Sequence, residues 1–196
     1  MAIRLTERDI SIFNIISKVG SISRAMLDEE FNMDRRSIYR LTKGDDAFLK
    51  VNNTPTKKGK KIVNRYTYSF TEVGAKYAIE NNLCTAIQGF NGYDHSLQSE
   101  RTVKQLLDKG IPVSKIYNEK EQEIVFKKEI KKMREDDKAN NRKESSFAIV
   151  DFTYYEDDKL QLIEIETENY RAKLKRQHST YAKNLGGNYT TIKYKK

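Results

Sequence analysis

The 196-residue chain has one cysteine, Cys84, and two histidines, His95 and His178. A single cysteine excludes an intramolecular disulfide framework and suits a reducing cytosol. The same scarcity leaves a structural zinc site without its ligand set. No apolar stretch approaches the roughly 20 residues that span a bilayer. The opening MAIRLTERD has no apolar run of the kind a signal peptide needs. A Gly-rich phosphate loop is missing too, since Gly186-Gly187 is not followed by the helix and lysine of a nucleotide site. His95 beside Asp94 has no nucleophile pattern around it, which leaves a hydrolase triad unsupported. These absences predict a soluble, cytoplasmic protein with no membrane partner. Apolar residues make up 37% and include twelve Tyr and eight Phe, enough for a core, while 33% charged residues point to small domains with much surface.

What is abundant is positive charge, and it is unevenly placed. The chain carries a formal +9, yet ten of its 37 basic residues lie between Arg35 and Thr71, opposed only by Asp45 and Asp46. That stretch alone is +8. Around it the periodicity is legible. Thr6-x-x-Asp9 opens a helix in near capping-box form, with Leu5 and Ile10 as a hydrophobic staple. Ile12, Phe13, Ile16 and Val19 recur at helical spacing until Gly20 stops the run. Ser23 caps a second helix that buries Met26 and Leu27, and Asp34 caps a third.

On the third helix Ile38 and Leu41 anchor the inner side, while Arg35, Arg36, Ser37, Tyr39, Arg40 and Lys43 occupy the rest. Long donors on an outer helix face are what the major groove requires. Phe48–Val51 and Ile62–Phe70 read as two strands around a Pro/Gly/Lys-rich loop, and Arg65 lies on the second. The loop tip Lys57-Lys58-Gly59-Lys60-Lys61 has four lysines in five residues, too costly to bury but well suited to phosphates. The plainer alternative is a solvated basic helix, with the tip a solvated loop in the free protein; a solvated helix does not predict the hairpin beside it. Thr71 then caps a fourth helix.

This order, helix, helix, basic helix, hairpin, helix, resembles a winged helix-turn-helix. Leu5-Thr6-Glu7-Arg8-Asp9 and Tyr68-Ser69-Phe70-Thr71-Glu72-Val73-Gly74 resemble the opening and closing signatures of the replication-relaxation family. The resemblance implies a DNA-binding protein of a plasmid, phage or other mobile element, acting in replication, mobilisation or transcriptional control. Its expected partners are double-stranded DNA, a second copy of itself, and a replication or transfer protein. DNA binding of this kind needs no cofactor.

In the second half a helix is expected up to Gly110, a short strand at 111–117, and a charged helical stretch from Glu119. Residues 136–146, almost without apolar side chains, read as a mobile loop. Phe147 to Phe152 reads as a buried strand, Asp157-Asp158 as a turn, and Leu160 to Glu166 as a half-buried strand. A helix from about Glu168 to Lys183 and a strand from Tyr189 complete the pattern, with His178 expected on the surface.

This β-turn-β-α-β order looks like the core of the PD-(D/E)xK nuclease-like fold. The resemblance makes Asp151 the motif aspartate, Glu164 the acid of the next strand, and Glu119 or Glu121 the helical acid. Asp151 and Glu164 would then hold Mg²⁺, which favours carboxylate oxygens. The chain departs from the motif at two places. Val150 stands where a proline is usual, and Glu166 stands where active members carry lysine, so that Lys173 or Lys175 would have to reach in from the helix.

The expected fold is therefore α+β: a winged helix-turn-helix domain at 1–82, a linker at 83–94, and an α/β restriction-endonuclease-like domain at 95–196. A metal-dependent endonuclease using Asp151, Glu164, Glu166 and Lys173 is the alternative to pure DNA binding.

Overall fold

The computed structural model describes residues 4–58, 61–89, 93–166 and 172–193, with backbone only at 56–58 and 94. The chain is mixed α+β and divides into two compact units, Met1–Val113 and Ser114–Lys196. Among the described residues no helix is long and apolar enough to cross a membrane.

The first unit opens with α1 (Glu7–Val19), whose Thr6 and Asp9 form a reciprocal capping box. Gly20 ends it at φ +89°, a left-handed conformation that disfavours any side chain. A two-residue strand β1 (Ile22–Ser23) leads to α2 (Arg24–Glu29), then α3 (Arg35–Thr42). Two ten-residue strands, β2 (Leu49–Lys58) and β3 (Lys61–Phe70), form an antiparallel hairpin, and the sheet order is β1-β3-β2. Residues 52–58, expected as loop, thus continue the strand. Pro55 is tolerated there because β2 is an edge strand and need not donate on its outer side.

The hydrophobic core explains why these elements assemble. Ile12, Ile15, Ile16, Leu27 and Leu41 are at most 2% exposed. Phe13 packs edge-on to Phe70 at 5.3 Å and tilted to Phe48 at 5.6 Å, with Tyr77 of α4 (Glu72–Glu80) edge-on at 5.9 Å. Burying one such ring contributes about 2–3 kcal/mol. A Cβ at Gly74 would sit 2.1 Å from the Phe48 carbonyl oxygen, so the residue's lack of a side chain lets α4 close over the sheet.

Helix α5 (Tyr93–Asp108) packs on α1 and β1. It brings Glu100, fully buried, to within 2.7 Å of the Ser23 hydroxyl, which donates to it. The units therefore divide at Val113 rather than at the expected 83–94 linker, and residues 95–113 belong with the first.

The second unit follows a 3-10 turn at Val113–Lys115 with β4 (Ile116–Asn118), α6 (Glu119–Val125) and α7 (Lys127–Ala139). Strands β5 (Phe152–Glu156) and β6 (Lys159–Glu166) form a hairpin; α8 (Ala172–Leu185) crosses to β7 (Asn188–Lys193). The sheet order is β4-β5-β6-β7, antiparallel except for the parallel β6–β7 pair that the α8 crossover permits. Asp157 and Asp158 both take positive φ, +48° and +60°, as a two-residue hairpin turn requires. Phe126, Ile130 and Met133 pack with Leu160, Leu162 and Tyr181 in the core.

Two expectations change here. Residues 136–139 are the last turn of α7, and Asp137 organises the segment after the helix: its carboxylate accepts from the Ser146 amide at 2.8 Å and from Arg142 at 3.0 Å. The charged loop at 136–146 is thus built around one acid. The buried run at 147–151 is not strand; pairing begins at Phe152.

Candidate functional site

The cationic face of the first unit is built on α3. Asp34 caps the helix by accepting from the Ser37 amide at 2.7 Å, and Ile38 and Leu41 fasten it to the core. Arg35, Arg36, Tyr39 and Lys43 remain exposed, Tyr39 at 62%. The Lys43 ammonium lies 5.7 Å over the Tyr39 ring, a cation–π contact that holds both outward-facing groups together.

Arg40 differs from its neighbours. Its Nη2 donates to Asp9 Oδ2 at 2.6 Å and its Nη1 to the Arg4 carbonyl at 2.9 Å. Asp9 is fully buried and also accepts from the Thr6 amide and hydroxyl at 2.7 and 2.8 Å. Burial pushes the Asp9 carboxyl upward, but the Thr6 amide and Arg40 outweigh it and hold the group below its ordinary value. Arg40, expected among the base-reading residues, is therefore a tie between α3 and the start of α1. Ser37 is engaged as well, accepting from Arg8 at 3.3 Å. Arg8 also donates to the Phe31 and Asn32 carbonyls at 3.4 Å, and no spacing in the sequence signalled that it reaches the turn before α3.

Beside α3 stands the hairpin. Its base is buried through Leu49, Thr67, Tyr68 and Phe70, whereas farther out Val51, Ile62, Val63 and Tyr66 are exposed. From the Asn53–Tyr66 pair to the Lys58–Lys61 pair the ribbon extends about 17 Å. Lys57 and Lys58 close β2 opposite Ile62 and Lys61, while Lys60 lies outside the described residues. Side chains alternate along β3, so Tyr66 and Arg65 face opposite ways. Tyr66 lines a groove with α3, and Arg65 stacks on the Tyr93 ring at 4.4 Å. Arg65, expected at the DNA surface, is thus on the hairpin face turned away from α3.

No family model, curated protein or solved structure matches the chain.

In the second unit Asp151 and Glu164 lie side by side, each bonded to the other's strand. The ladder register Phe152–Ile163 would next pair Asp151 with Glu164. Instead the side chains take over: the Asp151 amide donates to Glu164 Oε2 at 3.2 Å, and the Ile165 amide donates to Asp151 Oδ2 at 2.7 Å. This exchange is the physical reason why strand pairing stops at Phe152. Val150 leaves the ladder too, its carbonyl accepting from Gln122 Nε2 at 2.8 Å. Burial first, then the Asp151 charge, pushes the Glu164 carboxyl up to about 9, with Glu119 adding to the rise. Glu119 is therefore the helical acid facing this pair, whereas Glu121 caps its own helix on Asn118.

His178, expected on the surface, is 4% exposed with its Nδ1 3.6 Å from Glu164 Oε1. Burial holds its pKa below the ordinary value, partly offset by Asp151. Its place on the inner side of α8 was hidden by the basic residues around it. Lys173 pairs with Glu144, away from the pair; Lys175 is the lysine that reaches β6, lying 3.2 Å from Glu166.

This donor set does not fit a hydrated Mg²⁺. The ion keeps several waters and takes open carboxylate oxygens. Asp151 and Glu164 are 6% and 9% exposed, and one oxygen of each already accepts a peptide N–H. Among the described residues no group of three or more His, Cys, Asp and Glu side chains is placed to hold a metal ion. The arrangement is a clamp between the start of β5 and the end of β6, made by two peptide N–H donors on the two carboxyl groups.

Proposed function

We propose that the chain is a sequence-specific, double-stranded DNA-binding protein whose first unit is a winged helix-turn-helix. The observation that carries this reading is the pairing of α3, with Arg35, Arg36, Tyr39 and Lys43 outward, and a projecting hairpin with a lysine-rich end. The element order α1-β1-α2-α3-β2-β3 supports it, because it sets a short helix and a ribbon side by side. Eight residues of α3 span about 12 Å, a length suited to the major groove. Arg36 is the base-reading candidate, and Lys57, Lys58, Lys60 and Lys61 are phosphate contacts. The resemblance to the replication-relaxation family favours a role on a mobile element, in replication, mobilisation or transcriptional control.

The second unit is read as an interaction or dimerisation module in preference to a metal-dependent endonuclease, because Asp151 and Glu164 each accept a peptide N–H and Glu166 stands where that enzyme class carries lysine. Light scattering with and without DNA distinguishes a homodimer from a monomer.

Salt titration tests the main reading. Replacing all four hairpin-tip lysines with alanine should lower the log–log salt slope by about 3–4 units, and Arg36→Ala should relax base preference by about 1–3 kcal/mol. An unchanged slope in the lysine variant would remove the hairpin from the interface.

A further inference from the structure

Between α3 and the β2–β3 hairpin runs a groove of about 330 Å³, lined by Arg24, Arg35, Ile38, Tyr39, Tyr66 and Tyr68 among others. We propose that this groove receives one unpaired DNA base, stacked on Tyr66, with the adjoining phosphate on Arg35. The proposal rests on the DNA-binding reading and adds a specificity to it: recognition of DNA that is locally single-stranded.

The lining decides the ligand class. A site for backbone phosphate alone needs a cluster of open donors, but this groove is mostly ring and aliphatic surface. Tyr68 forms a buried part of its wall at 6% exposure, and its hydroxyl interacts with Arg24. Arg24 also donates to Asp28 at 2.9 Å and to the Met33 carbonyl at 3.3 Å, so it serves chiefly to brace the wall. Tyr66 at 43%, Tyr39 at 62% and Val51 at 51% are exposed, an unusual concentration of apolar surface within a strongly basic region. Arg35, exposed at the start of α3, supplies a cation at the same groove.

Flat apolar rings beside a guanidinium match a nucleotide, whose base is a π-surface and whose phosphate is an anion. Bases inside a duplex have both faces covered by their neighbours. Only an unpaired or extruded base offers a face to Tyr66. Stacking of this kind is tolerant of base identity, so it selects the state of the DNA, whereas Arg36 selects sequence.

The test compares a blunt DNA duplex with the same duplex carrying a short single-stranded thymidine tail, each titrated with the full chain by fluorescence anisotropy. A 2-aminopurine in the tail reports stacking through quenching. The tailed probe is expected to bind about tenfold more tightly and to be quenched, an advantage that Tyr66→Ala removes and Tyr66→Phe keeps. Tyr66 sits on the exposed half of the hairpin, and circular dichroism verifies that both variants are folded. Equal binding of the two probes by the unmodified protein, or equal weakening of both by Tyr66→Ala, overturns the base-stacking site while leaving duplex binding intact. Failure to bind either probe overturns both readings together.

Discussion

Replacing Arg40 with alanine separates the proposed DNA-reading role of this residue from the role of holding α3 in place. The guanidinium is 33% exposed and sits 2.6 Å from the fully buried Asp9 carboxylate. Cutting a wholly buried pair costs about 3–5 kcal/mol because one charge is stranded. Here Asp9 keeps its bonds from the Thr6 amide and hydroxyl, and the partial exposure of Arg40 weakens the pair. The loss is therefore about 2–3 kcal/mol, close to one charge-assisted hydrogen bond. For a chain of this size that corresponds to a drop in Tm of about 5–10 °C.

The pH dependence follows from the depressed Asp9 pKa. A carboxyl held below its ordinary 3.8 contributes stability that is present above that value and lost as pH falls through the lower folded value. The gap between wild type and Arg40→Ala should accordingly be full at neutral pH and narrow below about pH 4. Thermal unfolding followed by circular dichroism at several pH values measures it. DNA affinity, taken well below both melting temperatures, should keep its sequence preference. An unchanged Tm together with lost sequence preference would refute the structural role and return Arg40 to the proposed DNA surface.

Two buried acids predict a second pH effect of opposite sign. Glu164 is raised to about 9 and Glu100 to about 7, so each favours the folded state when protonated. Their contribution is present below the ordinary carboxylate pKa and is lost as pH rises, through about 7 for Glu100 and about 9 for Glu164. Glu164→Gln should flatten the fall in Tm between pH 7 and 9, and Glu100→Gln the part below 7; a Glu164→Gln protein with the wild-type slope would contradict the clamp. Millimolar Mg²⁺ or Mn²⁺ should leave Tm unchanged, because ligand binding to the native state alone would raise it; a clear rise abolished by Asp151→Asn would show that the clamp opens to a metal. At Gly74 an alanine places its Cβ against the Phe48 carbonyl, and calorimetry should show a loss of about 1–3 kcal/mol or more.

Local order was readable because it depends on neighbours in sequence. Thr6, Ser23, Asp34 and Thr71 cap their helices through contacts three residues away, and the spacing of Ile12, Phe13 and Ile16 marks an inner face. The +8 stretch was likewise visible as composition. What a positive side chain does with its charge depends on what folds opposite it. Arg35 and Arg36 point outward, Arg40 meets Asp9 from 31 residues earlier, and Arg65 is drawn to Tyr93. The same holds in the second unit, where the resemblance to the nuclease-like fold implied that Asp151 and Glu164 share one site. Only the register, with each carboxylate accepting a peptide N–H across the strands and His178 turned inward, decided that they close on one another. The sequence determined where charge is concentrated and where helices begin. Tertiary structure decided which charges are neutralised, because pairing and burial are set by residues far apart in the chain.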